Sequence, residues 1–383
     1  MRFTELGLMP VLETALARDD ITEPTPIQVE AIPVVMAGKS AYISSETGTG
    51  KTLAYLLPLF CRLDPALRAL QVMIIVPTHE LAVQIGQQAR DLAQHSGLAI
   101  RAQALIGGVS MKRQLEKLKD KPQVVVGSPG RIGELIGMGK LKVHTVQTLV
   151  IDEMDRLLFG DSLDGVRQII RAIPRERQMI FVSATEQRES SQEADALAPG
   201  LVRVHTGSNR VVSTIEHLYI VCEERDKPDV LRRLLHAVKP VRTIVFVHRN
   251  EHADALTAKL AYHGIRVADL HSACDKMDRK KALDDFRAGR ATVLIASDLA
   301  ARGLDVRDVT HIVNLDIPTQ SLAYLHRTGR TGRAGKGGCA VSLMTEQEWR
   351  LVGRYEQELG IAMTQARLRE GQLELRQPEP PAK

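Results

Sequence analysis

Aromatic side chains make up only 3% of the 383 residues, and there is a single tryptophan. A chain so poor in flat rings has no stacking platform of the kind on which single-strand binders rest their bases. Any nucleic acid would have to be gripped by its backbone. Cysteine is scarce as well. Cys61, Cys222, Cys274 and Cys339 are far apart and form no CxxC pair, which argues against a disulfide framework or zinc site and fits a reducing cytoplasm. Long apolar runs are missing: Ala54–Cys61 is among the longest, far short of a bilayer span. Arg2, Glu5, Glu13 and Arg18 break up the N-terminus, so no signal-peptide core is expected. Nor does one sign of charge dominate. Fifty-one basic residues against 46 acidic leave a formal net charge of +5, compatible with a polyanionic partner without requiring one.

What remains, 44% hydrophobic and 25% charged residues, suits a globular chain, and its length suits two domains. The same rhythm runs through both halves. Near-continuous apolar runs recur at 41–45, 72–76, 124–127, 148–152 and 179–183, then at 218–221, 243–247, 292–297, 311–315 and 339–343. Between them lie segments apolar at helical spacing, such as Glu80–Leu92 and Glu251–His263. Apolar strands alternating with helices predict α/β domains with mainly parallel sheets covered on both faces. We expect an N-terminal domain at 1–205, a linker at 206–216 that contains the turn-rich run TGSNRVVST, and a C-terminal domain at 217–364. The remaining stretch, 365–383, is polar and proline-ended and reads as a disordered tail.

Ser45-Glu46-Thr47-Gly48-Thr49-Gly50-Lys51-Thr52 follows an expected strand and precedes the apolar helix Leu53–Phe60. Small residues there let backbone N–H groups surround phosphates at a helix N-terminus. Lys51 can reach the β/γ-phosphates and the Thr52 hydroxyl can ligate Mg²⁺. A hundred residues on, the strand Leu149-Val150-Ile151 ends in Asp152-Glu153-Met154-Asp155. Adjacent carboxylates at an apolar strand end need a cation. Mg²⁺ on Asp152, held through water, supplies one, and Glu153 is then placed to activate the attacking water.

Asp152-Glu153-Met154-Asp155 resembles the DEAD motif of the DEAD-box RNA helicases, with Met in the Ala position. Pro24-Thr25-Pro26-Ile27-Gln28, with Phe3 upstream, is similar to that family's Q motif, so Gln28 and Ile21 are expected against the adenine of ATP. Asp20 stands where the family usually has Gly, and Ile21 where it often has an aromatic. Ser183-Ala184-Thr185 resembles the SAT motif, whose hydroxyls would bond Asp155 and couple nucleotide state to RNA binding. His326-Arg327-Thr328-Gly329-Arg330-Thr331-Gly332-Arg333 resembles the last helicase motif, which makes Arg330 and Arg333 the fingers on the γ-phosphate. Ser297-Asp298-Leu299-Ala300-Ala301-Arg302-Gly303-Leu304-Asp305 resembles the motif before it. Asp305 would accept the ribose hydroxyl and Ser297 would face an RNA phosphate.

The resemblance implies two RecA-like domains and places RNA on Thr78, His79, Gly107, Gly108, Ser128 and Arg131 of the first domain. In the second it places RNA on Arg249, Lys276, Arg279 and Ser297. Hydroxyls, glycine backbones and basic groups read phosphate and 2′-OH, not bases, which agrees with the shortage of aromatics. Three departures stand out: His79 for the usual Arg, Lys276 for Gln, and Ser272 after His271 for Gly. The expected activity is ATP-driven, local remodelling of RNA by a monomer, with a protein cofactor left open. Beside it stand an ATP-gated RNA clamp with feeble hydrolysis and a double-stranded DNA translocase on the same plan.

Overall fold

The computed structural model describes residues 1–45, 48–184, 188–206, 215–248, 250–270, 276–298, 306, 308–332 and 337–376. The chain divides into two compact units, Met1–Gly207 and Ser208–Lys383.

In the first unit seven strands form one sheet: β1 (Ala41–Ser44), β2 (Val72–Ile75), β3 (Ala102–Leu105), β4 (Val124–Gly127), β5 (Thr148–Asp152), β6 (Gln178–Ser183) and β7 (Val202–His205). Their order is β3-β4-β2-β5-β6-β1-β7 and every pairing is parallel. Successive residues of β2 and β5 feed opposite cores: Ile74 and Val150 enter one apolar cluster, Ile75 and Ile151 the other. Burial on both faces explains why these strands read as unbroken apolar runs. The edge strands β3 and β7 lay outside the apolar runs, because AQAL and VRVH carry polar residues that edge positions tolerate.

The sheet order also distributes the loops. All strands point the same way, so the segments after β1, β5 and β6, which are neighbours, emerge together at one carboxyl end. Those after β2, β4 and β3 emerge beside them at the same end. Phosphate-loop and acidic motifs follow the first group; Pro77–Ala82, Gly107–Gly108 and Ser128–Arg131 follow the second. Ligands of open parallel sheets bind at this end.

The second unit holds β8 (Ile215–Val221), β9 (Thr243–Phe246), β10 (Val267–Leu270), β11 (Val293–Ala296), β12 (His311–Asn314), β13 (Gly338–Met344), β14 (Met363–Arg369) and β15 (Gln372–Leu375). They run in the order β10-β11-β9-β12-β13-β8-β14-β15, parallel except for the final antiparallel pair. Two expectations need correcting here. The linker placed at 206–216 stops earlier, since Ile215 already belongs to β8; residues 207–214 lie outside the described residues. The stretch from 365 is not a frayed tail as far as Arg376. Ala366 is buried in the core, and β14 adds to β8 and turns back through Glu370–Gly371 into β15. Its polar sequence suits a solvent-facing edge hairpin.

Candidate nucleotide site and RNA-binding surface

Helix Lys51–Arg62 begins at the phosphate loop. Gly48 and Gly50 have φ of 84° and 89°, a left-handed conformation open to glycine. At Gly50 a Cβ would also stand 2.4 Å from Gln28 Nε2, so the loop and the Gln28 side chain are packed against each other. Gln28 is buried, its Nε2 donates to the Gly50 carbonyl at 3.1 Å, and its Oε1 accepts from the Thr25 amide at 2.9 Å. Thr25 Oγ1 donates to the Thr49 carbonyl at 2.7 Å. The Pro24–Gln28 element is therefore bonded to the phosphate loop. Ile21 is half-buried beside the core. Asp20 has φ of 60°, a conformation glycine adopts freely and Asp tolerates. Lys51 Nζ donates to the Ser45 carbonyl. Thr47 lies outside the described residues.

At the end of β5, Asp152 is buried and both its oxygens are engaged. Oδ1 accepts from the Glu153 amide at 2.8 Å, and Oδ2 accepts from Tyr55 Oη at 2.9 Å. Burial first, and then the neighbouring Glu153 carboxylate, push the Asp152 carboxyl up to about 6. Glu153 has φ of 51°, a strained conformation for a non-glycine residue of the sort that survives at functional positions. Its Oε2 makes no hydrogen bond and faces Arg156 Nη1 at 3.5 Å. Asp155 is buried, and burial and then Glu153 raise its carboxyl; Ser183 Oγ donates to its Oδ1 at 3.1 Å. Thr185 lies outside the described residues. Among the described residues no three His, Cys, Asp or Glu side chains could cage a metal alone. The donors here, carboxylate and hydroxyl oxygens beside a phosphate loop, are those of a magnesium held jointly with phosphates and water.

In the second unit the decisive arginine is Arg327, which is 1% exposed. Its Nε and Nη2 meet both oxygens of Asp298 at 2.6 and 2.7 Å. Nη1 donates to Asn314 Oδ1 at 3.0 Å and the Asp316 carbonyl at 2.6 Å. This fork ties the end of helix Ser321–Thr328 to the segments after β11 and β12. Arg330 then follows in a turn whose amide donates to the Arg327 carbonyl at 3.1 Å. Arg330 is half-buried. Arg333 and Asp305 lie outside the described residues.

Residues 25–194 match the DEAD/DEAH box helicase family and residues 226–335 the helicase conserved C-terminal domain. The chain is 40% identical over 378 residues to the DEAD-box ATP-dependent RNA helicase CshC of Bacillus cereus, covering 98% of this chain and 96% of that one. It is a DEAD-box ATP-dependent RNA helicase. The helicase is also 36% identical to CshB of Bacillus subtilis, over 97% of this chain and 85% of that one. Its fold is similar to that of S. cerevisiae Dbp5 bound to RNA and ADP BeF3, with a TM-score of 0.86, 30% identity and 95% of each chain covered. Two RecA-like domains with mainly parallel sheets are thereby established.

Within the helicase, the surface expected to meet RNA is built partly of bonded groups. Thr78 Oγ1 caps helix His79–Ser96 by accepting from the Leu81 amide at 3.2 Å. His79 Nε2 accepts from the Gly107 amide at 3.2 Å, and a Cβ on Gly107 would stand 2.9 Å from the imidazole. Gly108 has φ of 63°. Ser128 precedes helix Pro129–Gly137 and makes no capping bond, while Arg131 is held by Glu134 at 3.3 Å. Ser297 is buried and Arg279 half-buried. Arg249 and the side chain of Lys276 lie outside the described residues.

Tyr55 escaped the sequence reading. Only its place one helical turn after Thr52 could have pointed to it, and core packing explains an aromatic there equally well. Its hydroxyl stabilises the ionised form of Asp152. Were Asp152 to hold a metal as its carboxylate, its raised proton affinity should make RNA-stimulated ATPase at limiting Mg²⁺ fall as pH drops through about 6. Tyr55→Phe removes a charge-assisted bond of about 1.5–3 kcal/mol. It should move that acidic limb to higher pH and raise the Mg²⁺ needed for half-maximal rate about ten-fold or more. An unmoved limb in pH–rate profiles would show that the hydroxyl merely packs.

Proposed function

We propose that this helicase separates RNA strands or remodels RNA–protein complexes locally, one ATP-gated grip at a time, without processive movement. The observation that supports the reading is the adjacent pair of carboxylates at the end of β5, with Asp152 buried and Glu153 half-buried in a strained conformation, its Oε2 beside Arg156 and without a hydrogen bond. In this reading Asp152-Glu153-Met154-Asp155 is the family's acidic motif with Met for Ala. Thr52 and, through water, Asp152 would hold Mg²⁺, whose charge offsets that building on the transferred phosphate. Lys51 and the phosphate-loop amides bind the β- and γ-phosphates, and Gln28 and Ile21 meet adenine. Glu153 orients the attacking water and takes its proton.

Arg330 and Arg333 belong to the other domain from Lys51 and Glu153. Catalysis would then be complete only when both domains engage one nucleotide, and RNA held by both domains favours the same closed state. ATP and RNA must therefore strengthen each other's binding to an equal degree. Ser183, bonded to Asp155, would carry nucleotide state to the RNA-binding loops, with Thr185 as its partner in the motif. We infer a monomer working in the cytoplasm, with a protein cofactor as an option for speeding closure. The test is ATPase rate with and without RNA: stimulation of at least ten-fold by RNA and not by DNA is expected, and equal stimulation by duplex DNA would replace this reading with a translocase.

The alternative, an RNA clamp with weak hydrolysis, draws its support from His79, whose Nε2 is occupied by Gly107. Where the family has a permanent cation with a bidentate fork, this chain has an imidazole whose Nε2 accepts from the Gly107 amide. His79→Arg should tighten RNA binding by about three- to ten-fold, roughly one charge-assisted contact, in fluorescence anisotropy with a non-hydrolysable ATP analogue. Unchanged or weaker affinity would mean that position 79 does not face RNA.

A further inference from the structure

The strongest unassigned feature lies on the outer edge of the first domain. Edge strand β3, between helices His79–Ser96 and Met111–Leu118, lines a groove of about 1010 Å³. Arg90, Arg101, Arg113 and Lys117 line it, against the single carboxylate of Asp120. At one end the groove reaches Ile106 and Val109, which flank the Gly107–Gly108 loop assigned above to RNA. At the other it reaches Pro122, which also borders a second pocket of about 370 Å³. That pocket is lined by Arg68, Lys121, Lys140 and Lys142, with no carboxylate.

Two observations single this belt out. First, none of these eight cations forms an ion pair among the described residues, although Asp91, Glu116 and Asp120 are close in sequence. Arg90 is spent on Gln87, Arg101 on a backbone carbonyl, and Glu116 pairs with Lys119. Like charges left unneutralised along one face cost self-repulsion, and a polyanion relieves it by releasing its counterions. Second, Gln103 lies on the groove floor at 6% exposure with its Oε1 lacking any hydrogen-bond partner, while its Nε2 donates to the Gln114 carbonyl at 3.0 Å. A buried acceptor without a donor costs about 1–3 kcal/mol, and a small turn of this side chain would bring it to a ligand hydroxyl such as a ribose 2′-OH.

We propose that this belt is a track for RNA flanking the strand gripped at the helicase site, holding it by phosphate and 2′-OH contacts independent of sequence. The proposal rests on the RNA reading above, and continuity with the Gly107–Gly108 loop favours RNA over an acidic protein. It gives the helicase a hold on its substrate that does not depend on ATP.

The test compares the shortest oligouridine that fully stimulates ATPase with the same strand extended at either end. Both are measured with a non-hydrolysable ATP analogue over a salt series. The variant carries Arg113→Glu, Lys117→Glu, Lys121→Glu and Lys142→Glu, all at exposed positions. Wild type should bind one of the extended strands about ten-fold tighter than the short one, and the variant should bind all of them alike. The slope of log affinity against log salt for the extended strand should fall by about 3 in the variant, four phosphates at roughly 0.7 each. ATPase stimulated by the short strand should be equal in both proteins. A length advantage retained by the variant, or absent from wild type, would overturn the track while leaving the helicase reading intact. Displacement of the extension by polyglutamate at equal charge would assign the belt to an acidic protein and overturn it too. A short strand that stimulates neither protein would overturn both readings together.

Discussion

Arg330→Ala is expected to lower RNA-stimulated kcat by about 10³- to 10⁵-fold, the range that arginine fingers contribute to phosphoryl transfer. The loss should fall on kcat, because the guanidinium acts on charge that develops only in the transition state. Nucleotide affinity, which the proposal assigns to the phosphate loop and Gln28 of the first domain, should stay within a few-fold. Arg330→Lys keeps the charge and loses the planar fork, so it should recover only part of the rate. Single-turnover hydrolysis and equilibrium nucleotide binding separate the two quantities. A kcat within ten-fold of wild type for Arg330→Ala would remove the argument that catalysis is shared between domains. The turn carrying Arg330 is braced by the buried Arg327–Asp298 fork, so circular dichroism should confirm an intact second domain in both variants.

The second large effect concerns Glu153→Gln. Losing the base should reduce hydrolysis by about 10²- to 10⁴-fold, with ATP and RNA still bound. With hydrolysis as the proposed step that releases the grip, RNA should dissociate from this variant much more slowly than from wild type in the presence of ATP. The exchange also removes a negative charge next to Asp152, one cause of that carboxyl's raised proton affinity. The Asp152 carboxyl of Glu153→Gln should therefore titrate below about 6, and Mg²⁺-dependent ATP binding should persist to lower pH than in wild type. Fast RNA release with ATP bound would show that hydrolysis does not gate the grip.

These expectations draw on two kinds of information. The phosphate loop could be read directly, because Gly48, Gly50, Lys51 and Thr52 are neighbours in the chain and a strand and a helix frame them. The acidic pair at 152–153 and the basic run at 326–333 were legible for the same reason. Strands buried on both faces announced themselves as apolar runs. Edge elements did not: β3, β7, β10 and the β14–β15 hairpin carry polar residues, and polarity alone cannot distinguish a solvent-facing edge strand from a loop or loose tail.

Sequence by itself determined the class of machine and the strands buried on both faces, since turn chemistry and periodicity depend on near neighbours. Only tertiary structure decided which groups meet. Tyr55 reaches Asp152 across 97 positions, His79 reaches Gly107 across 28, and the basic belt gathers Arg90 beside edge strand β3 with Arg68 and Lys142 before the amino ends of β2 and β5. Such pairings follow from how a helix packs on a particular sheet, and close packing fixes them to a fraction of an ångström. No local pattern records that outcome.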